Sequence, residues 1–454
     1  METKTEQQLH IFFLPFMAQG HTLPLIDIAK LFASRGVKST LITTLVNAPL
    51  FSKAIQTSKS LGFEIELLVI KFPSTEVGLP EGIERTNLRK KQEQADKYFR
   101  ATNLLEQQVE PILDQHRPHC LVADSLFPWA TDVAAKFGIP RIIFHGPGFF
   151  PLCASTSVMR YQPQREVSSD SESFVVPGLP DEIKMTKNKL APFLTLDGES
   201  ELIKVVTASQ LANETSYGII VNSFYELEPA YADHYRKVFG RKAWHIGPAS
   251  LCETEKDKLQ RGRKARLMKY MSLLEIALAL EASRQQFIWV VKKENNDKEE
   301  WLPEGFEQRV EGKGLIIRGW APQLLILQHE AVGAFLTYCG WNSTLEAVCA
   351  GIPMITWPVS ADQFYNEKLV TQILGIGVAV GVEKWEDDSV KSEASMKKET
   401  IEKAVTEFMV SHEKEEMRSK ILELRDLARR AVEEGGSSFL DLTALIEELK
   451  SLRF

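Results

Sequence analysis

The sequence predicts an α/β protein made of two doubly wound halves, each with a parallel sheet covered by helices. Three observations support this prediction. The chain has 454 residues, more than a single hydrophobic core usually serves. Short apolar runs alternate with amphipathic segments along most of its length. A charged stretch, 253–266, separates two such series near the middle of the chain.

The first half opens with a strand–helix–strand pattern. An apolar run at 10–14 predicts a strand, 15–22 a loop and 24–34 a helix. The helix has one apolar face: Leu25, Ile28, Ala29 and Phe32. Gly36 ends it, and a strand follows at 38–43. This order is typical of a βαβ unit with parallel strands.

The same alternation continues through both halves. Further strands are predicted at 63–70, 120–123, 141–144, 218–222, 287–291, 315–317, 334–337, 354–357 and 377–382. Helices are predicted at 100–113, 129–137, 272–282, from 343 onward, and at 397–412, 414–434 and 439–452. Residues 168–173 predict a surface loop. We place the domains at 1–243 and 267–436, the linker at 244–266 and a separate last helix at 437–454.

Composition excludes several classes of protein. Hydrophobic residues make up 44% and charged residues 25%, and the net charge of −7 comes without a basic run suited to nucleic acid. The polar N-terminus does not resemble a secretory signal, and no apolar run of about 18 residues predicts a membrane span. Five cysteines without a CxxC pair favour reduced thiols and a cytoplasmic protein.

The segment 320–363 carries most of the functional information. Its strand at 334–337 leads through a tight turn, 339–342, into a helix. The N-terminus of a helix at such a turn attracts anions, phosphate above all, through backbone N–H groups and the helix dipole. A second loop, 360–363, offers a carboxylate and an amide that could bind hydroxyl groups.

This segment resembles the signature box of the plant secondary-product UDP-glycosyltransferases. The matching residues are Trp320, Pro322, Gln323, His329, Gly333, Phe335, Cys339, Gly340, Trp341, Asn342, Ser343, Glu346, Gly351, Pro353, Pro358, Asp362 and Gln363. The resemblance implies the GT-B fold, in which two Rossmann-like domains face a cleft. It also implies an N-terminal acceptor-binding domain, a C-terminal UDP-sugar-binding domain and a last helix that crosses back to the N-terminal domain.

The resemblance also implies the donor-binding roles. Trp320 would stack on the uracil, Gln323 would contact its edge and Glu346 would bind the ribose. The other donor-binding residues would hold the α-phosphate (Asn342 and Ser343), contact the sugar (Trp341, Asp362 and Gln363) or lie beside them (Ala321 and Tyr338). A final Gln in the box is the pattern associated with glucose. Two structural alternatives stay open: Ser343 and Glu346 have the spacing of a helix capping box, and Trp320 could be a core or rim aromatic.

Transfer to an alcohol requires a base near the acceptor hydroxyl. His21 lies between the first strand and the first helix, where the helix N-terminus favours the neutral imidazole. Asp124 ends the strand 120–123 on the same side of the sheet and could hold the imidazole as a triad carboxylate does. Both residues match the contexts of the family's catalytic pair.

No metal or cofactor is expected beyond the UDP-glucose donor. There is no Asp-x-Asp after a strand, and the pair Asp387–Asp388 lies in a polar stretch. The absence of G-x-G-x-x-G between a strand and a helix argues against a nicotinamide-dependent oxidoreductase.

Two features depart from the family pattern. Tyr338 stands where the box has a His that donates a hydrogen bond to the diphosphate. The C-terminal domain also lacks its first strand, because no strand-like run lies between Leu251 and Gln286. That strand is central in a doubly wound sheet, so its loss would leave the neighbouring strands without ladder partners.

The sequence therefore predicts an inverting UDP-glucose-dependent O-glucosyltransferase that acts on a hydroxyl of a small plant metabolite, such as a flavonoid, another phenolic or a triterpenoid saponin precursor. An apolar acceptor site is predicted from Phe16, Phe127 and Phe149. The expected partners are the UDP-sugar and the acceptor, with a monomer as the default state. The alternative is a weakened or inactive relative that binds small molecules or a partner protein.

Overall fold

The computed structural model describes residues 8–85, 92–195, 200–252, 263–264, 270–291, 302–385, 397–411 and 413–452. The chain divides into two compact units. The first unit comprises Met1–Thr156, Pro192–Cys252 and Ala428–Phe454, and the second comprises Ser157–Ala191 and Glu253–Leu427. Residues 157–191 therefore group with the second unit, although they precede the linker in sequence.

The β-strands, in chain order, are β1 (His10–Leu14), β2 (Lys38–Thr44), β3 (Ile65–Ile70), β4 (Cys120–Asp124), β5 (Arg141–His145), β6 (Ser173–Val175), β7 (Lys184–Thr186), β8 (Gly218–Val221), β9 (Ala243–His245), β10 (Arg263–Lys264), β11 (Phe287–Val291), β12 (Gly314–Arg318), β13 (Trp320–Ala321), β14 (Phe335–Thr337), β15 (Met354–Thr356) and β16 (Gly377–Ala379).

The α-helices are α1 (Gln19–Ser34), α2 (Ala48–Ser60), α3 (Gln92–Leu104), α4 (Glu106–His116), α5 (Ala130–Lys136), α6 (Phe149–Tyr161), α7 (Pro192–Thr195), α8 (Glu201–Thr215), α9 (Pro229–Val238), α10 (Tyr270–Ser283), α11 (Phe306–Arg309), α12 (Gln323–Leu327), α13 (Trp341–Ala350), α14 (Gln363–Lys368), α15 (Lys398–Val410), α16 (Glu413–Val432) and α17 (Ser437–Ser451).

The first unit is built on a parallel sheet with the strand order β3-β2-β1-β4-β5-β8-β9. The order reverses at β1, which pairs with β2 on one side and β4 on the other. Central strands such as β4 and β5 are buried along their whole length, as expected when helices cover both faces. This confirms the predicted doubly wound half and brings the carboxyl ends of β1 and β4 together.

Helix α1 begins earlier than the sequence predicts. Its first residue is Gln19, so the predicted loop 15–22 is too long and His21 lies in the first turn. The apolar face begins only at Leu25, and Pro24 resembles a helix start because it lacks an N–H. The helix nevertheless accommodates Pro24 internally. His21 is therefore held by helical backbone.

The last strand of this sheet, β9, was not predicted. Its residues Trp244 and His245 overlap the segment that we assigned to the linker, and β9 pairs with β8. The last helix, α17, packs in the same unit: Asp441 accepts hydrogen bonds from the His245 backbone N–H at 2.8 Å and from Arg236 at 3.1 Å. Its apolar face joins the core of the sheet through Leu442, Leu445, Ile446 and Leu449.

The second unit has its parallel strands in two separate sheets. Strands β11 and β12 form one pair, and β14, β15 and β16 form the other sheet in that order. Among the described residues no strand joins them, which is the consequence expected from a missing first strand. Ile288 in β11 and Leu315 in β12 are 47% and 55% exposed, so this pair is incompletely covered.

Other differences concern the ends of elements. The predicted helix 100–113 is interrupted, since α3 ends at Leu104 and α4 begins at Glu106. The strand predicted at 377–382 stops at Ala379, shortly before Gly381 with φ +99°. The loop 168–173 is exposed up to Ser173, where the antiparallel pair β6–β7 begins. Most of the predicted linker lies outside the described residues.

Candidate active site

The structure pairs His21 with Asp124 in the first unit. The Nδ1 of His21 lies 2.8 Å from Oδ2 of Asp124. Asp124 is the last residue of β4, whose neighbour β1 leads into the first turn of α1. The Asp124 side chain is fully buried, whereas the His21 side chain is 26% exposed. A small molecule can therefore reach the imidazole but not the carboxylate.

Hydrogen bonding determines which ring nitrogen carries the proton. Carboxylate oxygens only accept, so Nδ1 of His21 donates to Oδ2 of Asp124. The other oxygen, Oδ1, accepts from the backbone N–H of Leu126 at 3.0 Å. In the neutral ring this leaves Nε2 unprotonated. The imidazole is therefore held in the tautomer that a general base requires.

A buried arginine compensates the buried carboxylate. Arg141 begins β5 and donates to the backbone oxygens of Asp124 and Phe127 at 2.9 and 3.2 Å and to Oγ1 of Thr131 at 2.7 Å. Burial lowers the pKa of Arg141 to about 9, although the negative charge of Asp124 opposes the shift. The guanidinium therefore remains cationic at neutral pH and stabilises the region around Asp124.

One of the three predicted acceptor-site aromatics contacts His21, and a second packs against the first. The Phe16 ring contacts His21 edge-on, with centroids 5.8 Å apart, and contacts Phe127 at 5.5 Å. Phe149 is not brought to this group. It is fully buried, and its ring contacts Tyr235 and His245. Phe16 and Phe127 are themselves buried, at 1% and 0% exposed, so they belong to the apolar core behind the histidine, and their role toward an acceptor stays a prediction.

The two loops of the signature box that we predict to bind the donor, 339–342 and 360–363, lie at the carboxyl ends of β14 and β15 in the second unit. These strands are parallel neighbours, with Thr337 opposite Thr356. The turn before α13 follows β14, and the loop before α14 follows β15. Asn366 joins the two loops, because its Nδ2 donates to Cys339 O and to Oδ2 of Asp362, each at 2.7 Å. Both parts of the predicted site therefore share one end of the sheet.

The residues that the resemblance assigns to the nucleoside also lie together. The amide nitrogen of Gln323 donates to Oε2 of Glu346 at 2.7 Å and to Oγ of Ser343 at 3.3 Å. Ala321 is buried, whereas the neighbouring Trp320 is 45% exposed. An exposed indole is not a core residue, and its face can receive a flat ring.

The capping-box alternative is wrong. Helix α13 begins at Trp341, and its N-cap residue is Gly340, which has no side chain that could form a capping box. Ser343 therefore lies inside the first turn instead of at the cap, and Glu346 bonds to Gln323 instead of reaching back. The turn is made by Cys339, which adopts a left-handed φ of +59°, followed by Gly340. This end of α13 keeps the geometry of an anion site.

The loop before α14 orients the amide of Gln363. Its Oε1 accepts from the backbone N–H groups of Val359 and Ser360 at 2.8 and 3.0 Å. The amide nitrogen is therefore the atom that Gln363 can offer to a sugar hydroxyl. Asp362 is half-buried and held by Asn366, so its carboxylate position is also determined by the fold.

Tyr338 directly follows β14, immediately before the turn, and is half-buried. It stands just before the N-terminus of α13, so the departure from the family pattern falls at the end that we predict to meet the diphosphate charge. No cluster of three or more His, Cys, Asp or Glu side chains in the described part of the chain could hold a metal. The pair Asp387–Asp388 lies outside those residues. No helix among the described residues is long and apolar enough to cross a membrane.

Two residues that support the site were not predicted from the sequence. Arg141 is a charge at the start of an otherwise apolar strand, and such a charge signals a buried partner. Asn366 lies within a polar stretch that predicts only a helix surface, and its connection to Cys339 requires the tertiary fold.

A histidine–carboxylate pair on one Rossmann-like unit, and a turn leading into a helix N-terminus near an exposed indole on the other, are the combination expected of a nucleotide-sugar-dependent transferase. Comparison with known proteins gives the family. The sequence model of the family described as "UDP-glucoronosyl and UDP-glucosyl transferase" matches residues 265–429. A Fragaria ananassa protein, "UDP-glucose flavonoid 3-O-glucosyltransferase 7", is 60% identical over 488 positions, covering 100% of this chain and 99% of that protein.

Two further similarities agree. The Nicotiana tabacum "Scopoletin glucosyltransferase" is 48% identical, with 98% of each chain covered. The crystal structure of Glycyrrhiza uralensis UGT73P12, complexed with glycyrrhetinic acid 3-O-monoglucuronide, has a TM-score of 0.89 at 37% identity and covers 98% of this chain and 96% of that chain. The chain belongs to the plant family 1 UDP-glycosyltransferases, which are hexosyltransferases with the GT-B fold.

The alignment lengths also bear on the missing strand. The alignment with the Fragaria ananassa relative spans 488 positions, whereas this chain has 454 residues, a difference of 34 positions. If these positions fall together, they are enough for a strand with its loop and part of a helix. This agrees with the separation of the two parallel sheets in the second unit.

Proposed function

We propose that the protein transfers glucose from UDP-glucose to a hydroxyl of a small plant secondary metabolite, with inversion at the anomeric carbon. The observation that carries this proposal is the 2.8 Å hydrogen bond between Nδ1 of His21 and Oδ2 of Asp124. It leaves Nε2 as a base on a partly exposed ring. An alcohol without such a base is a poor nucleophile.

The proposed reaction is a single displacement. Nε2 of His21 takes the proton of the acceptor hydroxyl while that oxygen forms a bond to the anomeric carbon. The bond from this carbon to the UDP oxygen breaks on the opposite face, and UDP leaves with the electron pair. The imidazolium that forms is stabilised by Asp124, whose negative charge cannot be solvated by water because it is buried.

The second unit would hold the donor. Trp320 would stack on the base, Gln323 and Glu346 would bind the nucleoside, and the first turn of α13 would receive the diphosphate. Asn342 and Ser343 stand in that turn. We propose that charge on the leaving group is met by these N–H and side-chain donors, with no metal ion.

Residues of two loops would bind the sugar hydroxyls. The amide nitrogen of Gln363 would donate a hydrogen bond to one sugar hydroxyl, and the carboxylate of Asp362 would accept a hydrogen bond from another. Trp341 lies in the first turn of α13. The final Gln of the box supports glucose as the donated sugar. Relatives named for UDP-glucose, among them the one that is 60% identical, support the same donor.

The acceptor class rests on the relatives. Proteins named for flavonoid, scopoletin and anthocyanin glucosylation are 60, 48 and 48% identical over nearly the whole chain. A structure with 37% identity holds glycyrrhetinic acid 3-O-monoglucuronide. Phe16 packs against His21 and Phe127, so the residues behind the proposed base are apolar, although both phenylalanine rings are buried. We propose a flavonoid or other phenolic as the first acceptor to examine, followed by triterpenoids.

The further assignments are also proposals. Residues 1–243 would bind the acceptor, 267–436 would bind the UDP-sugar, and 437–454 would complete the first of these domains, which is supported by the packing of α17 against β9. All five cysteines are free thiols, in agreement with a cytoplasmic protein. We propose that it acts as a monomer.

The test is release of UDP from UDP-glucose with flavonols, coumarins and triterpenoids as acceptors, with the product identified by mass spectrometry. His21→Ala should abolish turnover but keep UDP binding, because His21 belongs to the first unit and the donor residues to the second. His234→Ala is the matched control, since this histidine contacts Phe239 and takes no part in the site. Equal turnover in wild type and His21→Ala would contradict the proposed base.

Two observations favour a second candidate, a relative with a weakened donor site. The sheet of the second unit is split, and Tyr338 replaces a residue that can carry positive charge. Thermal unfolding with and without saturating UDP-glucose separates the two. A raised midpoint shows that the donor site forms, because a ligand that binds only the folded state stabilises it. An unchanged midpoint together with absent turnover would favour the weakened relative.

A further inference from the structure

We propose that Gly146 is a positioning residue for His21. Because glycine has no side chain, it leaves the space in which the imidazole can lie at the distance from Asp124 that proton transfer requires. This inference rests on the proposed function. It starts from the space around the glycine. A Cβ added at Gly146 would lie 3.1 Å from Cε1, 3.3 Å from Nδ1 and 3.5 Å from Nε2 of His21. The imidazole therefore lies directly over this backbone position.

Backbone conformation does not explain the glycine. Gly146 does not adopt a positive φ, unlike Gly138 with φ +69° a few residues earlier. Any L-residue could adopt the Gly146 conformation without strain. The ring of His21 is what a side chain at this position would meet. The requirement for glycine is therefore steric and concerns one histidine.

The backbone at Gly146 is held on both sides. Before it, Phe144 O accepts from the Ser125 N–H at 3.0 Å, and the buried His145 side chain bonds through Nε2 to Asn213 Oδ1 at 3.2 Å. After it, the backbone N–H groups of the residues that open α6 donate to the buried carboxylate of Glu228 at 2.9 and 2.7 Å. A new Cβ would therefore displace the ring and not the chain.

The displaced ring would move relative to Asp124. The two ring atoms nearest to the added Cβ are Cε1 and Nδ1, and Nδ1 is the atom that donates to Oδ2 of Asp124. Phe16 also packs against the ring edge-on and limits where it can go. A shift of a few tenths of an ångström lengthens or bends the hydrogen bond. Because reaction rates are sensitive to misplacement on this scale, we expect kcat to fall about tenfold.

The experiment compares Gly146→Ala with wild type in the full-length protein by two independent measurements. The first is the low-field proton resonance of the His21 Nδ1–H, assigned by its absence in His21→Ala and recorded without substrate. The second is steady-state kinetics with UDP-glucose and a phenolic acceptor. The expected result is an upfield shift of the resonance and a roughly tenfold lower kcat. The KM for UDP-glucose and the unfolding midpoint should change little.

Gly218→Ala is the control for crowding a glycine elsewhere in the same unit, because Gly218 begins β8, the strand that pairs with β5. Its added Cβ would meet Trp244 Cζ3 at 2.7 Å and Lys242 O at 2.9 Å, so it should lower the unfolding midpoint and leave the His21 resonance unchanged. A folded Gly146→Ala protein with an unchanged resonance and unchanged kcat would overturn the proposal, as would loss of the folded state. A shifted resonance without turnover in wild type would support the positioning role and reject the proposed function.

Discussion

Replacement of Asp124 by Asn gives the sharpest test of the catalytic pair, because the two side chains have nearly the same shape. Oδ1 of Asp124 accepts from the Leu126 N–H at 3.0 Å. This hydrogen bond requires the amide oxygen of Asn to occupy the same position. The amide nitrogen then faces Nδ1 of His21, which lies 2.8 Å from Oδ2 in the wild type. A donor thus replaces an acceptor at the ring.

The exchange has two consequences that add. The charge-assisted hydrogen bond to the imidazolium is lost, which costs about 1.5–3 kcal/mol, or about 10- to 150-fold in kcat. The ring must also accept at Nδ1 and therefore carries its proton on Nε2, the atom that acts as base. Asp124→Ala removes the hydrogen bond but does not impose this tautomer. We expect Asp124→Asn to have a kcat equal to or lower than that of Asp124→Ala.

Initial rates of UDP release at saturating UDP-glucose and acceptor measure the effect, and ¹⁵N chemical shifts of the ring report the tautomer. Both variants leave the buried Arg141 without its nearby carboxylate, so both should unfold at lower temperature than wild type. Their comparison separates catalysis from stability. The reasoning is refuted if Asp124→Asn keeps more than a tenth of the wild-type kcat or is clearly faster than Asp124→Ala.

Three further predictions concern the donor site and pH. Tyr338→His should lower the Kd for UDP, measured by calorimetry, by about 10-fold or more because it restores a charge-assisted hydrogen bond; an unchanged Kd would contradict this role. Trp320→Ala should weaken UDP binding by about 1–3 kcal/mol, the usual value of base stacking. Since the Trp320 side chain is 45% exposed, the unfolding midpoint of the Trp320→Ala protein should equal that of the wild type. Burial lowers the pKa of His145 to about 4 from an ordinary 6.5, so the unfolded state binds the proton first as pH falls. The free energy of unfolding should therefore decrease between pH 6.5 and 4, by up to about 3 kcal/mol for this residue. Urea unfolding at pH 7 and 4.5 measures the change, and His145→Gln should show a smaller one.

The sequence predicted the parts of the fold whose residues have a simple periodicity. The strands β1, β4 and β5 are short apolar runs, and both the order of elements and the parallel sheet follow from their alternation with helices. Helix α6 was missed because its sequence is apolar on most sides and shows no amphipathic pattern. Strand β9 was missed because it runs directly into Gly247, Pro248 and a charged stretch, which favour a linker.

The candidate site shows the same division. A dense motif predicted the donor-binding residues from Trp320 to Gln363, and the position of His21 and Asp124 after two strands indicated that they could meet. The error at Ser343 arose because a spacing of three residues fits both a capping box and a first helical turn. Only the position of Gly340 as the N-cap distinguishes them.

By itself the sequence determined the family, the two-domain α/β class and the residue types available for catalysis, because these depend on local patterns and on a motif. The tertiary structure decided what depends on contacts between distant segments. It set the 2.8 Å approach of His21 to Asp124, the burial of Arg141 beneath that pair and the orientation of the Gln363 amide. It also separated the parallel strands of the second unit into two sheets, since strand pairing joins segments that no local pattern connects.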